Sequence, residues 1–316
     1  VTMESFVHEA FFYRGRDEFL AATVPFIEKG LAQDEPVLAA TQPANLSRLR
    51  AALGTTVSQL HLVDLVRAGR NPGRILPAVL LAFVHAHAGR RVWMISEATW
   101  PGRSDLEYPA CVQHEALANV AAAETEAIMR CPYDAESLPP TAITDAERTH
   151  PVVFSPEGSH PSTQYADPFT VAEECNLPLS APPADAVTFP VAIAQLAGLR
   201  QFVAEQGEKA GLPAARIADA IIAANELASN TLDHDGGPGT LACWTEADHL
   251  VCQLDDHGHI GDPLAGRLPP GAEALAGRGL YVVNQLCDLV RIHTRPGRTT
   301  IRVLIGPGEG APRLRW

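Results

Sequence analysis

The sequence predicts two domains of different class: an N-terminal α/β domain with a parallel sheet, and a C-terminal α+β two-layer sandwich. Three observations predict it. Before about residue 150, short apolar strand-like runs alternate with helix-like stretches, the order that builds a parallel sheet covered on both faces. After about residue 190, two helices come together and are followed by strands joined at tight turns, the order of helices packed on a mixed sheet. Between Pro151 and Pro190 the composition shifts to eight prolines, five acidic residues after Phe154 and no Lys or Arg. Proline opposes helix and central strand, and uncompensated charge opposes collapse, so a linker is expected there. The expected division is residues 1–155, a linker over 156–186, and a second domain over 187–309.

Taken in order, Asp17–Gly30 puts Phe19, Leu20, Val24 and Ile27 on one helical face and ends at a glycine. Pro36–Thr41 reads as a buried strand, Asn45–Leu53 as a helix closed by Gly54, and Leu60–Val63 as a strand. Pro72–Ala88 reads as a helix, Arg91–Ser96 as a strand, and Tyr108 to about Arg130 as one long Ala-rich helix. Inside the linker a short helix is expected around Thr170–Asn176. The second domain opens with a strand at Val187–Phe189 and helices over Ala192–Ala210 and Pro213–Leu232. Strands follow at Gly239–Glu246 and His249–Asp255, then a Gly/Pro-rich stretch from Gly258 to Ala276 and a helix over Gly279–Cys287. Two strands, Leu289–Thr294 and Thr299–Ile305, come last.

The chain has 316 residues, with 24 basic against 37 acidic side chains and a net charge of -13. No run of Lys or Arg occurs, so direct nucleic-acid binding is not expected. A polyanionic ligand such as ATP remains compatible, because backbone N–H groups and a metal ion can hold phosphates without a basic surface. The six cysteines form no C-x-x-C pair and read as reduced thiols of a cytoplasmic protein. The N-terminal VTMESFVHEAFF lacks a basic n-region and a clean apolar core, so no signal peptide is expected. The longest apolar run, Ile75–Val84, is far short of the roughly 20 residues of a spanning helix, so no membrane is expected.

Three short motifs carry chemistry. In NELASNTLDH (Asn225–His234), Glu226, Asn230 and His234 fall four apart and line one stripe of a helix whose buried side is expected to come from Ile217, Ile221 and Ile222. A carboxamide oxygen there suits Mg²⁺ and a carboxylate suits proton transfer, although the same spacing also fits a solvated helix face. In LDDHG (Leu254–Gly258), an Asp at a strand end before a glycine turn can accept from an exocyclic amine such as adenine N6, or be an ordinary turn. In GRGL (Gly277–Leu280), glycines at a helix start leave N–H groups free for phosphate oxygens, or simply cap the helix.

Order and spacing together resemble the N, G1 and G2 boxes of the GHKL ATPase superfamily, closest to its anti-sigma-factor serine kinase branch. That resemblance implies the GHKL two-layer fold, with Glu226 as catalytic base and Asn230 as the Mg²⁺ ligand. It implies that Asp256 reads adenine (Asp255 being the alternative), and that Gly258, Gly277 and Gly279 shape the nucleotide cleft beside Arg278 and Leu280. His234 matches a position commonly His in that branch, and Thr299–Thr300, with Thr300 the contact, fall where the family has a Gly-Thr contact to nucleotide. One departure is Ile260, which stands where G1 usually has a second glycine; Gly261 is expected to compensate. The implied cofactors are ATP and Mg²⁺. The implied partners are a sigma factor and an anti-anti-sigma (STAS-type) protein phosphorylated on Ser or Thr, with a homodimer as the expected assembly. A sensor histidine kinase, or a non-catalytic module that sequesters its partner, are the alternatives.

The N-terminal half, through HEAFFYRGRDEFL at its start, Glu97 in RVWMISEATW, His114–Ala116, CPYD at Cys131–Asp134 and His150–Pro151, resembles the MEDS sensory domain. That resemblance implies a RecA/KaiC-like parallel sheet that senses small organic molecules. No G-x-x-x-x-G-K-[ST] loop is present, which argues for a sensor over a second ATPase. His8, Tyr13, Glu97, His114 and Glu115 are its candidate ligand-facing groups, or else satisfied structural residues.

Overall fold

The computed structural model describes residues 6–233, 237–270 and 278–316. It divides into two compact units. One holds the chain up to Cys175 with Arg313–Trp316, and the other holds Asn176–Pro312.

In the first unit, β1 (Phe6–Tyr13), β2 (Val37–Thr41), β3 (His61–Asp64), β4 (Val92–Ser96), β5 (Ala127–Asp134), β6 (Val152–Ser155) and β7 (Gly158–Pro161) form one sheet in the order β3-β2-β4-β5-β1-β6-β7. Every neighbouring pair is parallel except β6 with β7. The helices are α1 (Gly15–Ala32), α2 (Pro43–Leu53), α3 (Leu65–Ala68), α4 (Pro72–Ile75), α5 (Leu81–Ala86), α6 (Tyr108–Ala121), α7 (Pro140–Thr149) and α8 (Pro168–Glu174). Phe19, Phe26 and Ile27 of α1 and Leu49 of α2 pack on Phe11, Val37, Ala39, Trp93 and Ile95. These are alternate residues of β1, β2 and β4, which therefore point to one face.

Three expectations are corrected here. The long helix expected from Tyr108 to Arg130 stops at Ala121, and Ala127–Asp134 is the central strand β5. Ala and Glu favour helix locally, but β5 lies between β1 and β4, and pairing on both edges overrides propensity. The expected Pro72–Ala88 helix is broken into α4, a wider π turn over Leu76–Leu80, and α5, with Pro77 lacking the N–H an α turn needs. The Pro-rich stretch is also not uniformly a linker. Gly158–Pro161 adds edge strand β7, while the short helix expected around Thr170–Asn176 is present as α8, with Pro168 at its first turn and Asp167 accepting from Thr170 N–H. Edge strand and first turn are where proline is tolerated.

The second unit follows the expected order. It comprises β8 (Val187–Val191), α9 (Leu196–Lys209), α10 (Ala214–Asp233), β9 (Gly239–Glu246), β10 (His249–Asp256), α11 (Arg278–Leu286), β11 (Leu289–Arg295) and β12 (Arg298–Ile305). The strands form an antiparallel sheet in the order β11-β12-β10-β9-β8. Leu199 and Val203 of α9, Ala220, Ala224 and Leu227 of α10 and Val283 of α11 pack on Leu241, Cys252, Leu254, Ile301 and Val303. This is a two-layer α+β sandwich. Along β10 the alternation sends Leu250, Cys252 and Leu254 to the helices, and Val251 to the other face with Ala242 and Trp244. The buried side of α10 differs from expectation: Ile222 is exposed, Ile217 and Ile221 are only partly covered, and small alanines at 220, 223, 224 and 228 bring the helix close to the sheet.

Candidate functional site

The polar stripe of α10 ends opposite the start of α11. A Cβ placed on Gly279 would lie 2.9 Å from both amide atoms of Asn230 and 3.1 Å from Glu226 Oε2. The two helices therefore approach closely at Gly279, with the side-chain ends of Glu226 and Asn230, one turn apart, bordering the contact.

Beside this contact, Asp256 ends β10 on the helix side of the sheet. Its Oδ2 accepts from Thr231 Oγ1 at 2.6 Å, and its Oδ1 accepts from Gly258 N–H at 2.8 Å. Both oxygens are thus oriented by the adjoining helix and by the turn that follows. Asp255, one residue earlier, points to the opposite face, where it accepts from Thr300 Oγ1 (2.5 Å) and Gln253 Nε2 (2.8 Å) and lies 3.5 Å from Arg298. Strand alternation separates the two aspartates, and Asp256 alone lines the cavity.

That cavity has a volume of about 420 Å³. Asn230, Thr231 and Leu227 form its helix wall, Asp256, Thr299 and Ile301 its sheet wall, and the segment Gly258–Pro270 with Leu280 the remainder. The segment is folded back on itself. Asp262 accepts from Leu264 N–H, Arg267 N–H donates to the Leu264 carbonyl, and Asn284 Nδ2 donates to the Gly266 carbonyl at 3.1 Å. Gly266 has a φ of 74°, and a Cβ there would sit 2.6 Å from Leu280 Cβ. The strand side is pinned as well: Ile260 N–H donates to Thr294 Oγ1 (2.9 Å), and Thr299 Oγ1 donates to the Gly258 carbonyl (3.1 Å).

Of the residues singled out in the sequence, Asn230, Asp256, Gly258 and Leu280 line this cavity. Glu226 and Gly279 meet at the helix contact beside Asn230 and are not on its wall. Arg278 is exposed at the first described residue of α11. Gly277 and His234 lie outside the described residues. Thr300 is a correction, because its hydroxyl is held by Asp255 on the far face, and Thr299 takes the cavity position through the same strand alternation. Gly261 also lines the cavity; it is exposed, and a Cβ there would touch only the His259 ring, at 3.6 and 3.8 Å. Ile260, beside it, packs partly against the core and forms part of the same wall. Sequence reasoning missed Thr231, Thr294, Gly266 and Asn284. Thr231 was adjacent to Asn230 in the same motif, whereas Thr294 and Asn284 gain their roles only from β-pairing and helix packing.

Four of the five sensing candidates of the first unit fall into two separate buried polar groups. Tyr13 Oη, Gln42 N–H, Gln42 Nε2 and Asn45 Nδ2 all donate to the Glu97 carboxylate at the C-terminal ends of β1, β2 and β4. Burial pushes Glu97 up from its ordinary value, opposed by these hydrogen bonds. Burial likewise pushes Tyr13 up. Near the start of β1, on the face of α6 and α7, His8, Glu115, Cys131 and His150 converge, all buried. His114, next to Glu115 on α6, is fully buried. The expected set of five thus splits, Tyr13 and Glu97 going to one group, His8 and Glu115 to the other. Just before α1, Arg14 N–H donates to Glu18 Oε2 at 2.6 Å.

Two family models match. Residues 7–151 match the "MEthanogen/methylotroph, DcmR Sensory domain" (MEDS), and residues 189–305 match the "Histidine kinase-like ATPase domain". No curated protein matches the chain. Among solved structures it is similar, at 18% identity and a TM-score of 0.30, to the RsbU and RsbW domains of Rv1364c from Mycobacterium tuberculosis. That similarity covers 42% of this chain and 35% of the other, so the chain spans about a third of that structure's length. None of the described helices is long and apolar enough to cross a membrane.

Proposed function

We propose that this chain, matching a MEDS sensory domain followed by a histidine kinase-like ATPase domain, is a signalling regulator whose second unit binds Mg²⁺·ATP and phosphorylates a protein on Ser or Thr. One observation carries the reading: Asn230 and Asp256, from different elements and 26 positions apart, wall one cavity, and Glu226 lies one turn before Asn230 where α10 meets Gly279. The donor set suits the ligand. Asn230 presents a neutral carboxamide oxygen, a hard donor appropriate to Mg²⁺, at the end of the cavity near the start of α11. Asp256, held by Thr231 and Gly258, offers a fixed acceptor edge to an exocyclic amine, and Leu227, Ile260 and Ile301 give it apolar walls.

Bound Mg²⁺·ATP would supply the transferable phosphoryl group and neutralise its charge, so the protein's part is positioning. Glu226, one turn before Asn230, is the group to take the proton from an incoming hydroxyl. The partners in this reading are a sigma factor and a STAS-type antagonist, approached from the cytoplasm by a homodimer. The rival histidine kinase needs an acceptor His on a helix, whereas His150 is fully buried just after α7 and His160 sits on edge strand β7. A binding module without catalysis is favoured by two facts: Ile260 occupies a G1 glycine position, and Glu226 lies off the cavity wall.

The test is incubation of the full chain with γ-labelled ATP, Mg²⁺ and a STAS-domain protein from the same organism. Acid-stable label on the STAS protein, lost in E226Q while nucleotide binding persists, is the expected result. Binding with no transfer to it would favour the non-catalytic module, and acid-labile label on the chain itself the histidine kinase.

A further inference from the structure

We propose that the first unit holds a divalent transition-metal ion of the zinc class between β1, β5, α6 and the end of α7, ligated by His8, Glu115, Cys131 and His150. The four side chains come from parts of the chain up to 142 positions apart and are at most 2% exposed. Each aims one ligand atom inward, and these atoms all lie within 4.8 Å of one another.

The hydrogen bonds behind the ligands fix which atoms face inward. Asn119 Nδ2 donates to the carbonyls of Glu115, Ala116 and Thr149, which leaves Asn119 Oδ1 as an acceptor, 3.0 Å from His8 Nδ1. His8 Nδ1 must therefore carry a proton. His150 Nδ1 lies 2.8 Å from the Ala146 carbonyl, which can only accept, so it too carries a proton. In neutral imidazoles both Nε2 atoms are then lone pairs, and both point at a carboxylate. Among the described residues, Glu115 Oε1 and His150 Nε2 have no hydrogen-bond partner. Lone pairs and a carboxylate facing one another in a dry interior need a cation among them. Histidine ligands held at Nδ1 by an acceptor are the usual support of a metal site.

Distances discriminate between a proton and a metal as that cation. His8 Nε2 to Glu115 Oε2 is 3.4 Å, His150 Nε2 to Glu115 Oε2 is 3.7 Å, and Cys131 Sγ lies 3.4 Å from His8 Nε2 and 3.8 Å from Glu115 Oε2. Charge-assisted hydrogen bonds are shorter, about 2.7–2.9 Å. Four ligands around one ion at roughly 2.0–2.3 Å are separated by about 3.3–3.7 Å along the edges of a tetrahedron, and the four separations above follow those edges. The two imidazoles stand 4.0 Å apart, centroid to centroid. One thiolate, two imidazoles and a carboxylate are a borderline-soft set, right for zinc and wrong for Mg²⁺ or Ca²⁺. A buried four-ligand cage marks a structural ion that ties β1, β5, α6 and the segment after α7 together.

The test is metal analysis of the full chain, purified without added metal or chelator, followed by removal of metal and titration with Co²⁺. About one zinc per chain, and a cobalt spectrum with intense tetrahedral ligand-field bands and a thiolate charge-transfer band, are expected. C131S should lose the charge-transfer band, and C175S, altering a thiol outside the cluster, should keep it. The proposal is overturned if the wild-type chain carries no metal and binds neither Zn²⁺ nor Co²⁺, or if its cobalt spectrum is octahedral without the thiolate band. Because these are read on the wild-type protein, a variant that fails to fold does not decide the outcome.

Discussion

At the scale of single residues, Asp255 and Asp256 are adjacent and chemically identical, yet strand alternation gives them opposite faces and different work. Asp256 lines the cavity, and Asp255 holds Thr300, Gln253 and Arg298 behind the sheet. D256A is expected to weaken ATP binding by tenfold or more, about 1.4 kcal/mol, as read by calorimetry. D255A should leave affinity within about twofold but lower unfolding free energy by about 1–2 kcal/mol, because buried donors lose their acceptor. The reverse pattern would move the base-reading role to Asp255. Both aspartates were legible in LDDHG, but the choice between them depends on strand phase, which becomes certain only with the core face of β10. The same phase settles Thr299 over Thr300.

Glu97 provides a residue-scale pH test in the first unit. Its folded value is raised above 4.5 by burial, so the folded state holds its proton more tightly than the unfolded chain. Its contribution to stability is therefore fullest below about 4.5 and is lost as pH rises through the folded value. Denaturant unfolding of wild type and E97Q should show a wild-type advantage that shrinks as pH rises from 4.5 toward 7. An advantage that grows over that range would mean that the four donors outweigh burial.

At the scale of elements, the cavity depends on two glycines where helix α11 is approached closely. In G279A the new methyl meets the Asn230 amide at 2.9 Å and Glu226 Oε2 at 3.1 Å, so these side chains must turn aside; ATP affinity should fall at least tenfold with little change in melting temperature. In G266A the methyl meets Leu280 backbone and Cβ atoms that cannot rotate away, at a φ of 74°. Strain of that kind costs about 1–3 kcal/mol, and denaturant unfolding should register it. Little change in G266A would mean that the segment Gly258–Pro270 is not anchored on α11. Gly279 was visible in the sequence because GRGL precedes an apolar helix pattern. Gly266 was only one glycine in DPLAGRLPP, since its need arises from a helix 14 residues further on. The first unit shows a similar division: amphipathic α1 and α2 were readable from periodicity, whereas β5, with AIMRCPYD, was absorbed into a predicted helix because pairing on both edges, not local preference, makes it a strand.

At the scale of the whole molecule, a change in element order and composition marks the expected second domain at 187–309, which brackets the family match at 189–305, while the compact unit starts earlier, at Asn176. Asn176, inside the expected linker, donates to the Thr294 carbonyl, accepts from Thr294 N–H and offers its own carbonyl to His293. Ser180 accepts from Arg302. Thr294 in turn holds Ile260 on the cavity wall, so the start of the second unit supports the site. A fragment of residues 176–312 is expected to fold alone, and one of residues 187–312 to be less stable by a few kcal/mol, at about 1 kcal/mol per lost bond. Equal unfolding midpoints would return the boundary to residue 187.

Calorimetric titration of the full chain with a non-hydrolysable ATP analogue, with and without Mg²⁺, tests nucleotide binding most directly. The expected result is one saturable site per chain that needs Mg²⁺ and vanishes in N230A while the protein stays folded. Absence of heat with the wild type, or binding that N230A leaves unchanged, would contradict it.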